Sequence, residues 1–294
     1  MIDFWIILTA SLVATSTAIL GCFLIMRKMA MIGDAISHAV LPGIVIAYYI
    51  TNSRASFPIL IGAAASGMVV TYLIQFFNQK VKLQQDASIG ISYTFLFAIG
   101  IILISLFSGD VDLDQDCVLY GEIAYVPLDT LTIGDANIGP RQVWILGGTL
   151  ILITISVVLA YRKLVLTTFD PAFASAMGIS VVLWQYYLMA AVSLTTVVSF
   201  ESVGAVLVIA FLSGPAATAF LLTKDFKRMI LLSIGFGISA SFIGYYTAEW
   251  LEGSIAGAIA SIIGLQFAIA FIYIQFLRKS RISDVIENKA LTQV

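Results

Sequence analysis

The stretch GDAISHAVLPG at 33–43 places Asp34 and His38, the only histidine of the chain, four residues apart at the start of an apolar run. On an α-helix, positions i and i+4 share a face, so the carboxylate and the imidazole would point into one space. One oxygen and one imidazole nitrogen suit a divalent transition metal. Inside a membrane span such groups are costly and by default mark a functional pathway. The spacing leaves two simpler readings open. One is an internal Asp34–His38 pair; the other is Asp34 as a helix N-cap with His38 hydrogen-bonded to a neighbouring helix. Pro42 lacks the N–H that would reach the carbonyl of His38, which makes that carbonyl a third candidate oxygen. A second acid, Glu201, lies in SFESVGAVLVIAFLSGPAATA. It is either a further metal contact or an acid at the outer membrane interface. Pro215 in the same run frees the carbonyl of Phe211, and the small residues of GPAATA suit close helix packing rather than ligation.

The elements that must hold these residues follow from composition. The 294 residues are 60% hydrophobic and 11% charged, against about 25% charged in an ordinary soluble domain. So few charges cannot cover a water-facing surface, and the chain reads as an all-α polytopic membrane protein. A crossing needs roughly 17–25 apolar residues. Such runs fall at 3–26, 34–51, 56–77, 87–108, 142–161, 181–199, 203–222, 229–248 and 254–277, about nine crossings. Thirteen of the fifteen Lys and Arg residues then lie on one side, with Arg54 and Arg141 on the other. By the positive-inside rule the N-terminus is outside and the C-terminus cytoplasmic. The basic pair Arg27–Lys28 follows the first apolar run, the reverse of a signal peptide, so that run reads as a retained helix. Cys22 and Cys117 share no spacing that would imply a disulfide or a metal clip, and Cys22 reads as a buried thiol.

Residues 1–280 read as one transmembrane domain and 281–294 as a short cytoplasmic tail. Two connections stand out. The outer one, 109–140, opens GDVDLDQDC, which imitates half of a calcium loop. The imitation fails: from Asp110 the sixth and twelfth positions are Gln115 and Gly121, where Gly and Glu are required. A solvated acidic rim is the simpler reading, although VLYGEIAYVPL in its middle could dip into the membrane. The inner connection, 162–180, runs RKLVLTTFDPAFASAMGIS. Asp170-Pro171 is a helix start and Gly178 a helix stop. Such a capped cytoplasmic helix is either a surface helix or the place where a separate motor would press. The chain contains no G-x-x-x-x-G-K-[ST] phosphate-binding loop, so any nucleotide hydrolysis belongs to another subunit.

At GDAISHAVLPG, LYGEIAYVPLDTL, FDPAFASAMGI and SFESVGAVLVIAFLSGPAATA, in this order along 3–278, the sequence resembles the permease subunits of bacterial ABC importers for manganese, zinc and iron. The resemblance implies a type II-like permease fold in which two permease subunits, identical or paralogous, enclose a pathway. Two cytoplasmic ATPase subunits would drive it, and an extracytoplasmic binding protein would deliver the metal. It implies that Asp34 and His38 line the pathway. It also implies that 162–180 holds the coupling helix, with Asp170, Pro171, Ala174, Met177 and Gly178 as its residues. Many members of that family carry Gln at the position of Glu201, which leaves its role open. No permanently bound cofactor is expected; the transported ion would be Mn²⁺, with Fe²⁺ or Zn²⁺ as alternatives, across a bacterial plasma membrane.

Three rival functions are weighed by chemistry. A proton-coupled secondary transporter could use Asp34, His38 and Glu201. An intramembrane metalloprotease wants H-E-x-x-H or an equivalent ligand set, which a single histidine cannot supply. A membrane scaffold would gain nothing from an intramembrane Asp/His pair.

Overall fold

The computed structural model describes residues 2–51, 56–107, 123–133 and 136–291. The Asp110–Asp116 cluster and Cys117 lie outside them. Among the described residues, nine helices are long and apolar enough to cross a membrane, at the positions expected from hydropathy.

The first helix, α1 (Ile2–Met26), is apolar on every side, as a helix surrounded by others must be. It packs against α6 (Arg141–Phe169), α8 (Val181–Val203), α9 (Ala205–Leu222) and α10 (Phe226–Leu251). Cys22 is fully buried within it. The helix ends in a Schellman motif: Met29 N–H donates to Leu24 O and Lys28 N–H to Ile25 O, with Lys28 at φ +60°.

The second crossing has two parts, α2 (Ile32–Ala39) and α3 (Leu41–Thr51). Val40 between them keeps right-handed helical angles, so the axis continues while the hydrogen-bond ladder is interrupted. Pro42 is therefore in the first turn of a new helix, where a missing N–H costs least, rather than inside one continuous helix. The hydroxyl of Ser66, on α4 (Ser56–Gln79), donates to the carbonyl of Ala39 at this break.

Helices α3 and α4 meet through two glycines. A Cβ on Gly43 would overlap the carbonyl of Gly62, and a Cβ on Gly62 would overlap that of Gly43. In lipid, where apolar surface gives little drive to association, such backbone contact supplies the packing. Gly43→Val is expected to cost at least about 1–3 kcal/mol by overpacking. A lowered melting temperature of the detergent-purified chain checks it.

The remaining crossings are α5 (Gln85–Phe107), which packs on α2, α3 and α4, and α11 (Ile255–Leu291), which packs on α9 and α10. The described part of the connection 109–140 holds no membrane-spanning helix. After a 3₁₀ turn (Ile123–Leu128) with Ile123 and Val126 buried, a hairpin pairs β1 (Thr130–Ile133) with β2 (Ala136–Pro140) antiparallel, Ile133 opposite Ala136.

Two inner segments differ from the hydropathy reading. Helix α6 does not stop at 161 but runs 29 residues to Phe169, about 44 Å against a hydrocarbon core of about 30 Å. Its last turns therefore project beyond the membrane. Likewise α11 continues to Leu291 through most of the segment read as a tail. Polar residues end contact with lipid; they do not end a helix.

Candidate functional site

Asp34 is the third residue of α2, behind an N-cap at Met31 that makes no side-chain bond. The N-cap reading of Asp34 is thereby corrected. Its carboxylate stands free to face His38 one turn on. The imidazole Nε2 and the carboxylate Oδ1 are 3.6 Å apart. That is too long for a good hydrogen bond. Two ligands of one metal, each at about 2.0–2.2 Å, lie about 3.0–3.5 Å apart, so a few tenths of an ångström would bring both onto one ion.

What distinguishes the pair is exposure. Ile32, Gly33, Ala35, Ile36, Ser37 and Ala39 of α2 are buried, whereas the side chains of His38 and Asp34 are 38% and 39% exposed. The apolar residues of the helix face the protein and the two ionisable ones face out of it. In a membrane that outward direction cannot be hydrocarbon at tolerable cost; it must be water or a second protein surface.

The imidazole is also held from behind. The rings of Tyr93 and Phe97, one helical turn apart on α5, have centroids 5.8 Å and 5.5 Å from that of His38, tilted and edge-on respectively. These two aromatics were not singled out from the sequence. Their i, i+4 spacing was the available signal, but a helix rich in Phe and Ile gives it no contrast.

Glu201 does not join the pair. Among the described residues no three His, Cys, Asp or Glu side chains come together as a metal cluster. Ile36, between Asp34 and His38, lies beside Gly67, whose other neighbour is Ser193 of α8. Glu201 is eight residues beyond Ser193, about 12 Å further along the helix. It is exposed near the far end of α8. Within one subunit, the reading of Glu201 as a third ligand is not supported, and the interfacial reading fits. The GPAATA run packs as expected, with Pro215, Ala216, Thr218 and Ala219 buried.

The second candidate region lies beyond the projecting end of α6. Asp170 caps the short helix α7 (Pro171–Ala176) by accepting from Phe173 N–H at 2.9 Å. Gly178, at φ +77°, ends it: its N–H donates to Ser175 O and that of Ile179 to Ala174 O. Ala174 is fully buried and anchors the helix, so it cannot be a contact for a partner. The large apolar side chains that face outward here are Phe173, 52% exposed, and Met177, 64% exposed. Phe173 was absent from the residues expected there.

The sequence model described as the ABC 3 transport family matches residues 2–275. The chain belongs to that family. It is 45% identical over 269 residues to the manganese transport system membrane protein MntD of Bacillus subtilis (strain 168), covering 92% of this chain and 91% of that one. It is 37% identical over 268 residues to the zinc transport system membrane protein TroD of Treponema pallidum (strain Nichols), covering 91% and 73%. Among solved structures it is similar to PsaBC from Streptococcus pneumoniae in complex with Fab. There the TM-score is 0.73 at 31% identity, over 91% of this chain and 90% of that one. The fold is that of an ABC importer permease, and the chain is a multi-pass permease subunit of a metal ABC importer. In importers of this family the ATPase is a separate subunit.

Proposed function

We propose that this permease carries Mn²⁺ inward across a bacterial plasma membrane by alternating access, past Asp34 and His38. The observation that carries the reading is the outward exposure of these two side chains on an otherwise buried intramembrane helix. Their open face is turned to a pathway shared with a second permease subunit. One carboxylate and one imidazole per subunit make a shallow well, strong enough to admit an ion and weak enough to release it. A thiolate-rich cage would hold Zn²⁺ far more tightly; Cys22, buried in α1, is no part of the site. Manganese is preferred over zinc and iron because MntD, at 45% identity, is named for it.

The segment Asp170–Gly178 is the coupling helix, seated by Ala174 and presenting Phe173 and Met177 to the cytoplasmic ATPase subunit. An extracytoplasmic binding protein delivers the metal to the opposite side. Glu201 stands near that outer side as an interfacial acid. The orientation, with N-terminus outside and C-terminus inside, follows from the Lys and Arg distribution.

The test is uptake of ⁵⁴Mn by proteoliposomes holding the permease, its ATPase subunit and its binding protein. Uptake is expected to require ATP, to persist with a protonophore, and to yield to unlabelled Mn²⁺ at lower concentration than to Zn²⁺ or Fe²⁺. Preferential competition by Zn²⁺ or Fe²⁺ would reassign the metal. Uptake without ATP that collapses with a protonophore would overturn the mechanism.

A further inference from the structure

Arg27 sits one residue beyond α1, on the side that takes thirteen of the fifteen Lys and Arg residues. Its Nε donates to Thr168 Oγ1 at 2.9 Å and its Nη2 to Thr167 Oγ1 at 3.0 Å. Both threonines are in the last turn of α6, two and three residues before the coupling helix cap at Asp170. Each hydroxyl spends its proton on its own helix: Thr167 on the carbonyl of Lys163, Thr168 on that of Leu164. Each oxygen is thereby left to accept from the guanidinium. Burial pulls the Arg27 guanidinium down from its ordinary value to about 10, so it stays charged at neutral pH. Among the described residues no carboxylate lies in ion-pair contact with it. A desolvated charge without a counter-ion depends on these two neutral oxygens.

The chain beyond Arg27 is equally constrained. The Schellman motif fixes Lys28 and Met29, and Met29 is buried. Ile32 N–H donates to Met29 O at 3.2 Å and opens α2. Asp34 follows two residues later. Six residues, 28–33, therefore connect Arg27 to Asp34, tied down by these backbone bonds. Elsewhere Met29 Sδ accepts from Gln185 Nε2 of α8 at 3.9 Å, and the neighbouring contacts are non-directional. Phe226 meets Phe23 and Phe169 edge-on, and a cavity of about 600 Å³ opens beside Met26 and Phe169. The two arginine bonds are the directional link from this segment to the end of α6.

We infer that Arg27 is a positioning residue that joins the end of α6, and through it the coupling helix, to the helix carrying Asp34 and His38. Displacement of the coupling helix by the ATPase is passed through Thr167 and Thr168 to Arg27 and from there to the foot of α2. The inference rests on the reading of Asp170–Gly178 as the coupling helix.

The experiment is the number of ⁵⁴Mn ions imported per ATP hydrolysed in proteoliposomes of the complete importer. Arg27→Met keeps the apolar stem and removes the donors. It is expected to retain the bound ATPase subunit while the ratio falls roughly tenfold, within the usual range of energetic coupling between sites. Arg27→Lys, which can still reach one threonine oxygen, should recover part of the ratio. The double variant Thr167→Val, Thr168→Val should reproduce the loss. It also carries the test if Arg27→Met lowers the yield of folded complex. A wild-type ratio in Arg27→Met, or in the threonine double variant, overturns the inference. Failure of the underlying reading is distinguishable: in that case Phe173→Asp, Met177→Asp would still bind the ATPase subunit.

Discussion

Asp34→Ala and His38→Ala are each expected to lower ⁵⁴Mn uptake at least 10–100-fold, since loss of even a residue supporting a metal ligand costs about that much. The permease should still insert, fold and bind its ATPase subunit. The structure gives the reason for both halves. Each side chain is more than one-third exposed and faces away from the core of α2. A half-exposed ion pair at 3.6 Å contributes at most about 1 kcal/mol to stability, so its removal does not unfold the chain. Uptake, by contrast, loses half of this subunit's ligand set. Asp34→Asn and His38→Gln preserve shape and should fail nearly as badly, because amides are weak ligands for a divalent cation. Normal uptake by these variants would remove the pair from the pathway.

The second large effect is at the short helix α7. Phe173→Asp with Met177→Asp is expected to release the ATPase subunit during purification and to abolish ATP-driven uptake. Helix α6 carries these residues past the membrane, so their exposed apolar surface meets water unless a protein covers it. Buried aromatic anchors of an interface commonly cost 2 kcal/mol or more on truncation, and two introduced carboxylates add desolvation. Neither position contributes to the fold, because Ala174 and the two caps hold the short helix from within. An Ala174→Asp variant would differ in kind: it buries a charge and should destabilise the permease itself. Co-purification of the two subunits, compared between these variants, separates docking from folding.

The crossings were legible because lipid imposes a single requirement, a sufficiently long apolar run, and nine spans among the described residues meet it. The i, i+4 spacing of Asp34 and His38 likewise survived folding, since one turn of helix leaves little freedom. What failed to show in the sequence depended on relations between helices. Tyr93 and Phe97 acquire meaning only because α5 packs behind α2. Glu201 looked eligible as a ligand until the contact of Gly67 with both Ile36 and Ser193 located it too far along α8. The end of α6 was missed because Arg162 and Lys163 interrupt hydropathy without interrupting the helix; the stop is chemical, at Asp170-Pro171. The hairpin near 130–140 went unread because 109–140 was read for its acidic pattern and a membrane dip, not for strand pairing. Gly134-Asp135 between TLTI and ANIG is a recognisable hairpin signal.

The most direct test of the central claim exploits the chain's single histidine. The permease is labelled with ¹⁵N-histidine, assembled with unlabelled ATPase and binding protein, and trapped with Mn²⁺ in mid-transport. Pulsed electron–nuclear double resonance then reads the nuclei bonded to the ion. A ¹⁵N coupling that disappears in His38→Gln is the expected result, since no other nitrogen in the assembly carries the label. Mn²⁺ held in the permease with no ¹⁵N coupling would contradict the account.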